Sequence, residues 1–178
     1  MPKRIIPIDE LVILPFEGTP AEAVHELADA LVARGIAARV EAPASLPAAA
    51  YSRERDQYRA DILLEVARGY QARRVLAVTD EDLFAAGLNF VFGIAQCPGR
   101  ACVVSCARLL AGADPGLFRV RLLKEALHEL GHTLGLEHCA DLHCVMHFSN
   151  TLGDTDRKNA AFCLRCLVRL AQSTEAGL

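Results

Sequence analysis

Residues 115–147 read PGLFRVRLLKEALHELGHTLGLEHCADLHCVMH, and the reading of this stretch decides both the fold and its chemistry. Asp114-Pro115 suits a helix start, because proline at the first helical position lacks an N–H that would have no partner there. Val120, Leu123, Leu127 and Leu130 recur at helical spacing, so a helix burying them is expected to run to about Leu134. Gly135 then ends it, since glycine enters positive φ without steric cost. On this helix His128 and His132 stand at i and i+4, so both rings leave one face, a turn apart. Two imidazoles so placed can grip one zinc ion at ~2.0–2.1 Å. The turn at Gly135 lets the chain come back and offer His138 as a third ligand, leaving a fourth position open for water. Glu129 follows the first ligand and should stand beside that water without binding the metal. Zinc brings the pKa of such a water to roughly 7, and a carboxylate can then take its proton as it attacks a carbonyl. Short HExxH matches arise by chance, but Gly135 and His138 at the further offsets make chance a poor explanation.

Upstream, strands and helices alternate. Leu11 to Phe16 is a short apolar run closed by Gly18 and Pro20, as in a strand buried on both faces. From Pro20 to Arg34, Val24, Leu27, Ala28, Leu31 and Val32 share a helical face, and Gly35 ends that helix. Ile36, Ala38 and Val40 alternate as a second strand, and Pro43 and Pro47 mark a loop. Arg53 to Tyr70 reads as a second helix through Tyr58, Ile62, Leu63, Val66 and Tyr70. Arg74 to Thr79 is a third strand. This order implies a mostly parallel, twisted α/β sheet with right-handed crossovers. Two more strands, Asn89 to Gln96 and Ala101 to Cys106, flank the Pro98-Gly99 turn and can pair antiparallel. Past His138 the chain reads as loop to about Asp156 and then as a last helix. No repeat, linker or low-complexity tract interrupts it.

Composition narrows the function classes. A 178-residue chain with 52% hydrophobic residues can fill one core. The net charge of -3, with Lys and Arg scattered, lacks the basic excess that phosphate neutralisation needs. No nucleic-acid partner is therefore expected. No apolar run approaches the ~20 residues that span a bilayer, so no membrane partner is expected either. The opening MPKRIIPIDELVILPF has a basic pair, but Asp9 and Glu10 break its apolar run and no small-residue cleavage site follows. It reads as a first strand, not a signal peptide. A cytoplasmic location follows, where thiols stay reduced, and seven cysteines then suggest metal ligation before disulfides.

Beyond the histidines, Cys139 directly follows the third ligand, Cys144 stands two residues before Met146, and Cys163-Leu-Arg-Cys166 comes downstream. With HELGHTLGLEH, this order resembles the archaemetzincin family of the metzincin clan of zinc metallopeptidases. The LNFVFG stretch at Leu88 to Gly93 and the α/β first half are similar to that family too, so the resemblance covers nearly the whole chain. The spacing from Met146 to Cys163 is a residue shorter than the family's, which leaves the ligands untouched. The resemblance implies a metzincin-like fold with an antiparallel edge strand, an active-site helix and a small C-terminal zinc-stabilised part. It makes Met146 the Met-turn residue, packing beneath the histidine rings, since thioethers are poor zinc ligands. It also implies a second, structural zinc held by Cys139, Cys144, Cys163 and Cys166. Four thiolates in two close pairs independently suit a closed tetrahedral site. Two disulfides, or a mixed site using His143 or His147, are the alternatives. His143 and His147 otherwise read as loop residues, with His147 the candidate to face the cleft. Cys97, Cys102 and Cys106 read as buried small hydrophobes, and Asp80 and Asp82 as a solvated loop after a strand. In metzincins an edge strand above the zinc holds substrate in extended form, and Asn89 to Gln96 is the candidate by chain order.

The expectation is one catalytic domain over residues 1–178, with an α/β part (1–135) and a C-terminal part (136–178). It would act as a monomeric zinc metallopeptidase on peptide or protein substrates, with two zinc ions and Glu129 activating a zinc-bound water. The alternative from another class is a zinc-containing peptide-binding or regulatory protein with little turnover, against which the intact Glu129 argues. A zinc-ribbon interaction module fits the complete histidine motif and acidic balance poorly. A hydrolase of non-peptide amides would share the chemistry. No tyrosine follows Met146, so a proton donor used by some metzincins is absent.

Overall fold

The computed structural model describes residues 6–175, so the first five residues of the expected opening strand lie outside the description. The elements in chain order are β1 (Leu11–Pro15), α1 (Ala21–Val32), β2 (Ala38–Val40), β3 (Tyr51–Ser52), β4 (Gln57–Arg59), α2 (Ala60–Gly69), β5 (Val75–Thr79), β6 (Leu83–Phe84), β7 (Gly93–Ala95), β8 (Ala101–Ser105), α3 (Pro115–Thr133), α4 (Leu152–Arg157) and α5 (Leu164–Glu175). Five strands form the main sheet in the order β2-β1-β5-β8-β7. The first four run parallel, with Val12 opposite Val75 and Val78 opposite Val104. β7 closes one edge antiparallel to β8, with Ile94 opposite Val103.

The three central strands, LVILP, VLAVT and ACVVS, are buried at every position, as strands covered on both faces must be. Alternate side chains feed two layers. Leu11, Ile13, Leu76, Val78, Cys102 and Val104 pack with α1 and α3 on one face. Val12, Leu14, Val75, Ala77, Ala101 and Val103 pack with α2 on the other. The sheet thus fixes α3, the longest helix, against β8 and β7 at the antiparallel edge.

Several expectations need correction. The second helix starts at Ala60, not Arg53. The residues before it form the β3–β4 hairpin, which joins β6 in a small second sheet. Helical spacing in RERDQYR loses there to long-range hydrogen bonds. Arg55 donates to the carbonyls of Leu88 and Asn89, and Gln57 donates to Asp82 and to the Asn89 carbonyl. The buried face of α2 is accordingly Ala60, Leu63, Leu64 and Ala67, with Ile62, Val66 and Tyr70 only flanking it. The expected strand from Asn89 shrinks to Gly93–Ala95, preceded by a single bridge between Val91 and Leu83. The expected loop before Asp156 contains α4, capped by reciprocal Thr151 and Asp154 hydrogen bonds, and the last helix begins only at Leu164. Val32 and Val120 lie at the edges of their apolar stripes and are 52% and 43% exposed. Asp82 lies in the loop after β5 as expected, and there it forms a two-pronged ion pair with Arg108.

At the head of α3, Asp114 accepts a hydrogen bond from the Leu117 N–H at 2.8 Å, with Pro115 in the first turn. Asp114→Ala should lower global stability by about 1 kcal/mol, while Asp114→Asn should stay near wild type. Urea denaturation of the three proteins checks this.

Candidate active site

The last two turns of α3 carry His128, Glu129 and His132 into the cleft, and the helix ends at Thr133, capped by Leu134, with Gly135 at φ 86°. The returning chain is fixed by Gly135 N–H to the His132 carbonyl at 2.8 Å and Leu136 N–H to the Gly131 carbonyl at 3.0 Å. This turn brings His138 back over the helix. Its ring centroid stands 5.3 Å from that of His128 and 4.9 Å from that of His132. One ligand atom from each of the three histidines falls within 4.8 Å of the others.

The hydrogen bonds settle the tautomers of the two helix histidines. His128 Nδ1 stands 2.8 Å from the Val145 carbonyl and His132 Nδ1 stands 2.7 Å from the Leu136 carbonyl. A carbonyl only accepts, so each Nδ1 carries the proton and each Nε2 is left with a lone pair. Those two Nε2 atoms face each other at 3.1 Å. Two lone pairs at that distance repel unless a cation lies between them, so the donor set fits a metal. Burial lowers the pKa of all three rings, most strongly for His128, where the Lys158 charge adds to it. Neutral imidazole is the form that ligates.

Glu129 lies between His128 and His132 in sequence and is buried. Burial pushes its carboxyl well above the usual range, Glu125 pushes it further, and Lys158 opposes both. The edge strand passes directly over it. A Cβ on Gly93 would come within 2.7 Å of the Glu129 carboxylate and 2.6 Å of the Val103 carbonyl, so no larger residue fits there. A cavity of about 270 Å³ opens beside this contact, between Asn89 to Phe92 on one side and His128, Glu129 and Phe148 on the other.

Beneath the helix, Met146 is fully buried. A Cβ on Gly131 would meet its Sδ at 2.3 Å and Phe162 at 3.0 Å, so α3 rests directly on the Met146 side chain. Behind this turn, Cys139, Cys144, Cys163 and Cys166 bring their sulfurs within 4.8 Å of one another. All are free thiols, and tetrahedral thiolate geometry requires such clustering. Burial raises the Cys139 thiol, but hydrogen bonds from Arg165, the Asp141 backbone, Cys163 and Cys166 outweigh it and bring it down to about 7. His143 and His147 are engaged elsewhere, with the carbonyls of Arg157 and Cys139. Cys102 and Cys106 are buried as expected; Cys97 is exposed, since the Pro98-Gly99 turn carries it to the surface.

Four residues at the site escaped the sequence reading. Glu125 could have been found, one turn before Glu129 on the same stripe. Phe148 lies 4.8 Å from the His138 ring. Lys158 and Arg121 are buried charges with no local signal.

The model of peptidase family M54 matches residues 31–172. The chain belongs to peptidase family M54. Archaemetzincin of Methanopyrus kandleri is 54% identical over 136 residues, covering 75% of this chain and 77% of that protein. Archaemetzincin of Pyrococcus furiosus is 37% identical over 186 residues, covering 95% and 96%. The crystal structure of the Methanopyrus kandleri protein superposes with a TM-score of 0.85 at 44% identity, covering 94% of this chain and 96% of that one. The archaemetzincin fold and the metallopeptidase class read from the motifs are those of this chain's family. Among the described residues no helix is long and apolar enough to cross a membrane.

The Gly131 contact makes a direct test of the Met-turn packing. Gly131→Ala should cost about 1–3 kcal/mol through overpacking, and the penalty should shrink when Met146 is also cut to Ala. A double-mutant cycle by urea denaturation reads this; additive losses would show that the Met146 sulfur is not the cause.

Proposed function

We propose that this M54 peptidase hydrolyses peptide bonds with zinc held by His128, His132 and His138, and with Glu129 as general base. The observation that carries the reading is the pair of unprotonated Nε2 atoms facing each other across 3.1 Å beside a buried carboxylate. When bound there, zinc supplies Lewis acidity that polarises the scissile carbonyl and acidifies water. The protein's own groups do the rest. The Val145 and Leu136 carbonyls hold both helix imidazoles in the ligating tautomer. Glu129 takes the proton of the attacking water and delivers it to the departing amine. Burial raises its basicity, which favours taking that proton. β7, at the end of the sheet, offers backbone groups to an extended peptide, and Gly93 lets the peptide path lie close to Glu129.

The four cysteines hold a second, structural zinc in this reading, giving two ions per chain. The free state of all seven cysteines suits a reducing compartment such as the cytoplasm. The chain acts as one catalytic domain and as a monomer. A relative from Methanocorpusculum labreanum, described as a zinc-dependent peptidase, superposes with a TM-score of 0.74 at 25% identity.

Holo-protein profiled against a peptide library should cleave a subset of peptides, and Glu129→Gln should lower turnover by ~10²–10⁴-fold with its zinc content unchanged. Unchanged turnover in that variant would remove Glu129 from the mechanism. A wild type that binds library peptides and cleaves none would favour the peptide-binding alternative.

The two metal sites should also be coupled, because His138 and Cys139 are adjacent and the Cys139 N–H donates to the Met146 carbonyl at 2.9 Å. Cys166→Ser, far from the histidines in sequence, is expected to weaken catalytic zinc affinity by ~10–100-fold, as loss of support behind metal ligands does. Zinc titration of the variant, under conditions where circular dichroism shows it folded, reads the effect. Wild-type affinity there would mean that the sites are independent.

A further inference from the structure

One face of α3, running up to His128, carries Arg121, Lys124 and Glu125, and all three are buried. They meet the segment after the Met146 turn through polar contacts. Arg121 grips both carboxylate oxygens of Asp156 at 2.7 Å. Lys124 donates to the carbonyls of Thr155 and Asp156, each at 3.0 Å. Glu125 Oε1 accepts from the Thr155 hydroxyl at 2.8 Å and from Lys158 Nζ at 3.0 Å. The Lys158 side chain is wholly buried and that of Glu125 nearly so, and Lys158 also reaches the His147 carbonyl at 3.5 Å. Lys158 caps the C-terminal end of α4 in an extended conformation, and its side chain turns inward.

This ion pair stands at the substrate cavity. Glu125 lines it, together with Phe148, Ser149 and Asn150 from the segment that Lys158 tethers. A buried pair of charges is a weak source of stability, because apolar residues of similar volume commonly do as well, whereas its directional hydrogen bonds fix one arrangement. We propose that Glu125 and Lys158 form a positioning pair for the cavity: their bond sets where the wall at residues 148–150 stands against α3, and thereby how a peptide seats beside Glu129. The pair neither holds the metal nor touches the scissile bond. This inference rests on the peptidase reading above, and its test separates the two.

Two hydroxamate probes bind the zinc-loaded protein in different ways. Acetohydroxamate engages the metal alone, while the tripeptide hydroxamate Pro-Leu-Gly-NHOH also needs a seat in the cavity. Lys158→Met should bind acetohydroxamate as wild type does and the tripeptide hydroxamate about 10-fold more weakly, the scale of a small misplacement of a bound group. On the best-cleaved library peptide the variant should raise KM more than it lowers kcat. Lys158→Arg, which keeps the charge and a donor, should recover most of the loss. Thr155→Val removes only the hydroxyl that Glu125 accepts, and it should move the tripeptide probe in the same direction by less. It decides the matter if Lys158→Met fails to fold. Unchanged tripeptide affinity in a folded variant overturns the proposal, and so does equal weakening of both probes, which would assign the pair to the metal. If acetohydroxamate does not bind zinc-loaded wild type, the metal-site reading itself falls, and this inference with it.

Discussion

The return of the chain after Gly135 is the constraint on which the site depends. Between Leu136 and Met146 the backbone leaves the helix, doubles back and passes beneath it. Its carbonyls at Leu136 and Val145 accept the Nδ1 protons of His132 and His128. Those bonds aim the free Nε2 lone pairs at a common point, something the helix alone would not guarantee. The same segment supplies His138 above the helix and Met146 below it. It also contributes Cys139 and Cys144 to the thiol cluster behind. A change in the path of these eleven residues would therefore disturb the histidine and cysteine clusters at once. On the proposed two-zinc reading, a metal on the cysteines would stiffen that path and spare His138 an ordering cost of ~1–2 kcal/mol per residue.

The rest of the fold presents the helix to that return. The fully buried strand β8 and the edge strand β7 give α3 its bed. The antiparallel edge strand brings Gly93 over Glu129 at a distance only a missing side chain permits. On the far side, Gly131 rests on Met146 and Phe162, while Arg121, Lys124 and Glu125 meet residues 155–158 through charges and hydrogen bonds. The carboxylate proposed as base is thus enclosed by backbone on one face and by a polar seam on the other. Burial raises the basicity of Glu129, and the Lys158 charge offsets only part of that rise.

Much of this was legible from the residues. Continuous apolar runs located the three core strands, because strands buried on both faces need no alternation. The histidine spacing brought His128 and His132 together, because i and i+4 on a helix share a face. Two kinds of feature resisted. The hairpin at Tyr51–Arg59 holds through hydrogen bonds from Arg55 and Gln57 to residues some thirty positions away, which periodicity does not register. Lys158 and Arg121 look like surface residues because their charged partners, Glu125 and Asp156, lie more than thirty positions away in the chain. The start of α4 was readable from Thr151 and Asp154 at capping-box spacing, but the cysteine-rich surroundings made the stretch look like loop.

The central claim is that one turn of chain serves two zinc sites, one of three histidines and one of four cysteines. Anomalous diffraction at the zinc absorption edge, from crystals of protein purified without chelator, tests it most directly. The account requires two peaks, one among His128, His132 and His138 and one among Cys139, Cys144, Cys163 and Cys166. A single peak at the histidines, with the four cysteines joined as disulfides, would contradict it.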